Sequence, residues 1–330
     1  MKPTVALFTG DPAGIGPELL ARLLADGTAA REANIFLVGS REVVLEGMRV
    51  AGKTYAFDEA IPHPGYGDFE TPVLTRGPVL DASGFERGVV TARSGRYMLD
   101  GLTFCIALCQ SGAANAICFA PLNKAALRAG GMNHPDELHW FTEVLGFTGT
   151  AVELNVLEKL WTSRVTSHVA LKDVAGLLTK EKVAEMTELI FKSLRQAGFE
   201  SPRVAVCGLN PHNGDDGAYG REEIEIIEPG VELARSRGFP ADGPFPADTA
   251  FVRATRKSGG YDGVVTMYHD QGQIAMKLLG FERGVTVQGG LPMPITTPAH
   301  GTAYDIAGQG VANDGAMKNA FRLACAMSAA

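Results

Sequence analysis

The chain has 330 residues, of which 45% are hydrophobic, a mean hydropathy near zero, and a net charge of −7 from 37 acidic and 30 basic side chains. That length exceeds one compact core and predicts two domains, while neither sign of charge forms the run that a nucleic-acid groove or a membrane-binding face needs. The five cysteines, Cys105, Cys109, Cys118, Cys207 and Cys325, form no CxxC pair, and they read as reduced thiols of a cytoplasmic protein.

Residues 4–9 read as a strand, with no room before them for a signal sequence. The loop Gly10-Asp-Pro-Ala-Gly-Ile-Gly-Pro-Glu18 follows, then an apolar helical run over residues 19–24. Its glycines permit a tight turn, and Pro17 suits a first helical turn. The loop is neither GxGxxG nor a P-loop, so by itself it reads equally as a connection or a ligand contact. Residues 34–39 form a second predicted strand. Residues 55–91, rich in Pro, Gly and Asp, read as irregular surface structure with short extended pieces. A helix is expected over 94–111, a strand over 116–120, and a further helix from Pro121 that carries Lys124 near its start. Lys124 either faces an anionic substrate or is an ordinary surface lysine. The stretch 134–143, which begins at His134, leads into another helix with Asp136 as its N-cap.

Three predicted strands then end at histidines. Residues 161–167 stop at His168. Residues 203–209 empty into Asn210-Pro-His-Asn-Gly214, which carries His212. Residues 263–267 run into Tyr268-His-Asp-Gln-Gly272, which carries His269 and Asp270. Ligands of open α/β sheets sit beyond the carboxyl ends of the strands. One loop histidine means little; three at strand ends point to a divalent ion held by neutral imidazoles, with a coordination position left for substrate. Between them lie two helices over 172–198, a flexible loop over 214–220, a helix over 222–237, and a rigid turn over 243–249 that presents Asp248. The last motif, His300-Gly-Thr-Ala-Tyr-Asp-Ile-Ala-Gly-Gln-Gly-Val-Ala-Asn313, has the small residues that let backbone approach a flat, extended ligand. Strand–helix–strand order throughout predicts the α/β class.

Taken together, GDPAGIGPE (10–18), PLNKAAL (121–127), GLNPHNG (208–214), GPFPADT (243–249), MYHDQG (267–272) and HGTAYDIAG (300–308) resemble the 4-hydroxythreonine-4-phosphate dehydrogenase family over nearly the whole chain. The first and last motifs also look like those of isopropylmalate and isocitrate dehydrogenases. The resemblance implies a two-domain α/β/α, isopropylmalate-dehydrogenase-like fold, with residues 1–130 plus 285–330 carrying the cofactor loop and residues 131–284 carrying metal ligands and dimer contacts. It implies a homodimer with a shared active site in the interdomain cleft. It places one divalent ion, zinc or else Mg, Mn or Co, on His168, His212 and His269, and NAD along His300, Gly301, Thr302, Ala303, Asp305 and Asn313. Lys277, Asp270 and Asp248 are the expected catalytic residues. Lys277, Thr286, Ile295, Lys124 and His134 are the expected substrate contacts.

Two positions depart from the family pattern. Thr286 stands where the family has an asparagine, and Ile295 where it has a phosphate-binding arginine, the residue best suited to bidentate phosphate recognition. On that basis the sequence points to a non-phosphorylated β-hydroxy acid, such as a terephthalate cis-dihydrodiol, oxidised by NAD and decarboxylated, in aromatic catabolism. The alternatives are 4-hydroxythreonine-4-phosphate dehydrogenase itself, a related phospho-sugar-acid dehydrogenase, a metal-dependent hydrolase, and a non-catalytic binding protein. No basic residue in the 300–313 loop meets a 2′-phosphate, so NAD is expected over NADP.

Overall fold

The computed structural model describes residues 2–65, 71–75 and 85–328. Its strands are β1 (Thr4–Phe8), β2 (Asn34–Val38), β3 (Asp58–Ala60), β4 (Val73–Thr75), β5 (Ala116–Phe119), β6 (Val152–Leu157), β7 (Leu160–Arg164), β8 (Val204–Cys207), β9 (Ala241–Phe245), β10 (Gly263–Thr266), β11 (Val285–Gly289) and β12 (Ile295–Pro298). The chain divides into two compact units, Met1–Ala151 with Val285–Ala330, and Val152–Gly284. Residues 131–151 group with the first unit.

In the first unit the strands run in the order β3-β4-β2-β1-β5-β12-β11. Pairing is parallel except between β11 and β12, which are antiparallel. Strand β1 carries Val5, Ala6, Leu7 and Phe8, all fully buried, as a parallel strand covered on both faces requires. Helices Gly16–Ala25 and Ala92–Gln110 supply apolar faces, and Thr91 caps the second by accepting from the Ser94 amide. One core cluster of this unit joins Phe8, Phe36, Met98, Leu102, Phe141 and Ile295.

The second unit has the order β6-β7-β10-β8-β9. Strands β7, β10, β8 and β9 are parallel, and β6 joins β7 as an antiparallel hairpin turned at Glu158. Ala205, Cys207, Phe251, Val264 and Met276 form its core.

The α/β class is the fold found, with the antiparallel pairs β11–β12 and β6–β7 interrupting the uniform alternation that the sequence suggests. Local differences have local causes. Residues 243–249 are not an isolated turn: β9 ends at Phe245 and a helix, Ala247–Ala254, begins, with Asp248 exposed in its first turn. The expected helix over 222–237 opens with a π-helical segment, Glu223–Ile227, before Glu228–Ser236. Of the two helices expected over 172–198, the first is a pair of single turns and the second is Lys180–Gln196. Within the stretch 55–91, β3 and β4 are the extended pieces, and residues 66–70 and 76–84 lie outside the described residues. Among the described residues no helix is long and apolar enough to cross a membrane.

Two tests follow from burial. All five cysteines are unpaired thiols. Burial pushes the thiols of Cys118 and Cys207 up to about 12. Both should resist a thiol reagent at pH 8 in the native protein and react once urea unfolds it. Ile295 has no solvent exposure and pairs with Ile117 across β12 and β5. Ile295→Arg should therefore cost about 3 kcal/mol or more, read from the urea midpoint. An unchanged midpoint would contradict this packing.

Candidate metal centre and cofactor loop

Strands β7, β10 and β8 are consecutive parallel neighbours in the second unit, so their carboxyl ends share one edge. His168 follows β7, His269 opens the helix His269–Gly280 after β10, and His212 sits in the turn Pro211–Gly214 after β8. The rings of His168 and His269 lie 5.8 Å apart between centroids. His269 Nδ1 is 2.7 Å from Asp270 Oδ1. With the proton on Nδ1 donated to that carboxylate, Nε2 keeps its lone pair for a ligand, the orienting arrangement usual for metal-bound histidine. His212 is held at φ 55°, and Asn213 after it at φ 56°. Such left-handed backbone is sparsely populated by residues other than glycine and persists only where surroundings impose it. Among the described residues, no three His, Cys, Asp or Glu side chains form a ready-made group for an ion. The histidine pair and the neighbouring turn are what this edge presents.

The three turns are bonded to one another. Thr166 N and Oγ1 both donate to Met267 O, at 3.1 and 2.8 Å, joining the His168 turn to the His269 turn. Gln271 Oε1 accepts from Met267 N at 2.8 Å, and its Nε2 donates to Gly208 O at 3.0 Å, joining the His269 turn to the His212 turn. Buried Glu223 takes the Leu209 and Asn210 amides on Oε1, both at 2.7 Å, and the Asn210 side-chain amide on Oε2 at 2.9 Å. Arg164, only 5% exposed at the end of β7, donates to Glu153, Asn155 and Ser167, each at 2.9 Å. Gln271, Glu223 and Arg164 thus set the histidine turns without being histidines. Of the expected catalytic residues, Lys277 is exposed on the His269 helix, eight positions on and therefore on the same face. Asp270 is exposed beside His269, and Asp248 is exposed on a different helix.

In the first unit the 300–313 segment lies on the glycine loop. Ile15 N donates to Thr302 O at 3.1 Å, and Tyr304 Oη donates to Asp11 Oδ2 at 2.6 Å. Gly14 is obligatory here, because a Cβ on it would stand 2.8 Å from the Thr302 Cβ. Asp11 is fully buried, and burial raises its carboxyl above the usual range against the pull of the Tyr304 and Ala13 bonds. Ala303 adopts φ 42°, so this turn too is strained. Thr302 is buried, while Gly301, Asp305 and Asn313 are exposed and His300 is half-buried. Asn313 Oδ1 accepts from Gly315 N at 2.8 Å, at the start of the helix Gly315–Ser328.

Residues 31–324 match the sequence profile of PdxA, the pyridoxal phosphate biosynthetic protein. The chain belongs to the PdxA family. A Pseudomonas aeruginosa relative, provisionally named 4-hydroxythreonine-4-phosphate dehydrogenase 2, is 54% identical over 98% of this chain and 97% of its own. The 4-hydroxythreonine-4-phosphate dehydrogenase of Geobacter metallireducens is 37% identical over 99% and 96%, and the D-threonate 4-phosphate dehydrogenase of Pectobacterium atrosepticum 35% over 98% and 99%. Among solved structures, the Klebsiella pneumoniae 4-hydroxythreonine-4-phosphate dehydrogenase superposes with a TM-score of 0.85 at 34% identity, covering 99% of this chain and 98% of that one. A terephthalate 1,2-cis-dihydrodiol dehydrogenase from Burkholderia xenovorans gives 0.70 at 26%, over 99% and 98%. These PdxA relatives are dehydrogenases, and the chain is an enzyme of that class.

The expected substrate contacts of this PdxA chain lie in its first unit, Lys277 excepted. Ile295 belongs to the core. Thr286 is half-buried on β11, paired with Thr297. Lys124 begins the helix Lys124–Ala129, capped by Asn123, with its Nζ 3.9 Å from buried Glu137. His134 Nε2 is 2.7 Å from Glu143 Oε2, and its buried Nδ1 has no hydrogen-bond partner among the described residues. Asp136 caps its helix as expected, accepting from His139 N at 3.0 Å.

Glu223→Ala would strip two backbone amides and one side-chain amide of a buried acceptor. It should cost about 2 kcal/mol or more and speed hydrogen exchange at Leu209 and Asn210, leaving the first unit's amides unchanged.

Proposed function

We propose that this enzyme oxidises a phosphorylated four-carbon β-hydroxy acid with NAD, 4-hydroxythreonine 4-phosphate or D-threonate 4-phosphate, and that the oxidised product loses carbon dioxide. The observation that carries the reading is the set of histidines at three consecutive parallel strand ends, in a chain whose similar relatives are named for these substrates. The dihydrodiol reading rested on Thr286 and Ile295 standing where the family has an asparagine and a phosphate-binding arginine. The Ile295 ground is removed, because Ile295 packs in the core of the first unit and so does not report on the ligand. The dihydrodiol dehydrogenase is also the more distant neighbour, at 26% identity.

Both phosphorylated acids carry a hydroxyl at C3, β to the carboxylate. Removing the C3 hydride and the hydroxyl proton leaves a β-keto acid, whose C1–C2 bond breaks to give carbon dioxide and an enol that is reprotonated at C2. A divalent ion, zinc in the first instance, would supply Lewis-acid stabilisation of the developing negative oxygen. His168 and His269, whose rings are neighbours, would hold it, and His212, exposed on the adjacent turn, would join them as a third ligand after rotation of its side chain. Asp270 fixes the His269 tautomer. Lys277, two helical turns further on, offers a cation to the substrate carboxylate or a proton to the enol. Residues 300–313 would hold the dinucleotide, with Asp305 and Asn313 as the candidate adenosine contacts. This reading includes a homodimer, whose interface would cover Ile274 and Leu278, 59% and 84% exposed on the His269 helix. A cytoplasmic location fits the unpaired thiols.

NADH formation should be measured on a panel of hydroxy acids with and without phosphate. Turnover of a phosphorylated acid at least a hundredfold above its unphosphorylated counterpart, about 2.7 kcal/mol, is expected. Preferential turnover of a dihydrodiol carboxylate would sink the proposal. Separately, His269→Ala should lose bound metal by elemental analysis while keeping its thermal transition; full occupancy would remove His269 from the ligand set.

A further inference from the structure

We propose that Glu18 and Arg22 are positioning residues for the cofactor, holding the 310–312 backbone so that the 300–313 segment is preformed for the dinucleotide. The inference rests on the cofactor reading above. Glu18 lies in the first turn of the helix Gly16–Ala25 and is 2% exposed. Its Oε1 accepts from Ala312 N at 2.9 Å and from Arg22 Nε and Nη2 at 3.1 and 3.0 Å. The same guanidinium donates to Gly310 O. One carboxylate oxygen therefore holds the distant segment twice, once directly and once through the arginine. Its other oxygen is buried without a hydrogen-bond partner among the described residues.

Packing alone does not account for a carboxylate here. Leu19, Leu20, Leu23 and Leu24 of the same helix are buried apolar residues, and a buried charge is unfavourable unless paired. What Glu18 and Arg22 hold is main chain with no strand or helix ladder of its own. Gly308 and Gly310 adopt φ 81° and 72°, and a Cβ on Gly310 would meet the Val50 carbonyl at 2.6 Å. Released from its anchors, such a segment samples many conformations, and ordering it on binding would weaken affinity. The other end is pinned independently, by Tyr304 to Asp11 and by Ile15 to Thr302. Glu18 and Arg22 complete the hold at the 310–312 end.

The test uses the full, metal-loaded protein, with NAD titrated calorimetrically and hydrogen exchange followed over 300–313. Glu18→Ala and Arg22→Lys should raise both Kd and KM for NAD about tenfold, leave KM for the acid substrate within twofold, and speed exchange at 310–312. Glu18→Gln, which keeps an acceptor for Ala312, should recover most of the affinity. Should Glu18→Ala fail to fold, the half-exposed Arg22→Lys carries the same expectation. NAD protection of 300–313 that is equal in wild type and folded variants, with Kd within twofold, overturns the inference alone. NAD protection elsewhere in the wild type overturns the cofactor reading and this inference with it.

Discussion

Parallel pairing of β7 with β10 and of β10 with β8 forces three strand ends onto one edge, and the candidate metal centre depends on that constraint. The three strands are short and buried, so the histidines fall just past their ends. The turns there lack a ladder and must satisfy their backbone otherwise. They do so by bonding to each other through Thr166 and Gln271 and to the Glu223 carboxylate. A shift in one turn is therefore felt by the other two, which ties together backbone from different parts of the chain.

The first unit solves a different problem by related means. Its 300–313 segment has no strand or helix ladder, and its glycines and positive φ values make it intrinsically loose. Buried carboxylates supply the missing rigidity: Asp11 at one end and Glu18 at the other. In both units, then, an acidic side chain in a mostly apolar setting fixes a turn that regular secondary structure does not reach.

What the sequence revealed was local. The Asp136 cap bonds three residues ahead, and the histidines directly follow apolar runs, so a short window contains both signal and consequence. Glu18, Glu223, Gln271 and Arg164 were not legible as structural hubs, because their partners lie up to 294 residues away and any short window shows only an ordinary polar residue on a helix or strand. Ile295 shows the opposite hazard. Its place in a family pattern carried a role, but the direction of a strand side chain and its burial are set by pairing with β5, which alignment does not contain. The antiparallel pairs were hidden for the same reason: strand direction is a property of partners.

The division of the chain has a consequence for synthesis. Residues 152–284 are one uninterrupted segment and can close their sheet as soon as they leave the ribosome, whereas the first unit is split around them. Its strand β5 is bordered by β12, which is translated some 180 residues later. Until then β5 has an unpaired edge, and the apolar face awaiting Ile295 and the final helix is uncovered. The first unit to begin is thus the last to finish, and this nascent interval is when the chain depends most on protection against edge-to-edge aggregation.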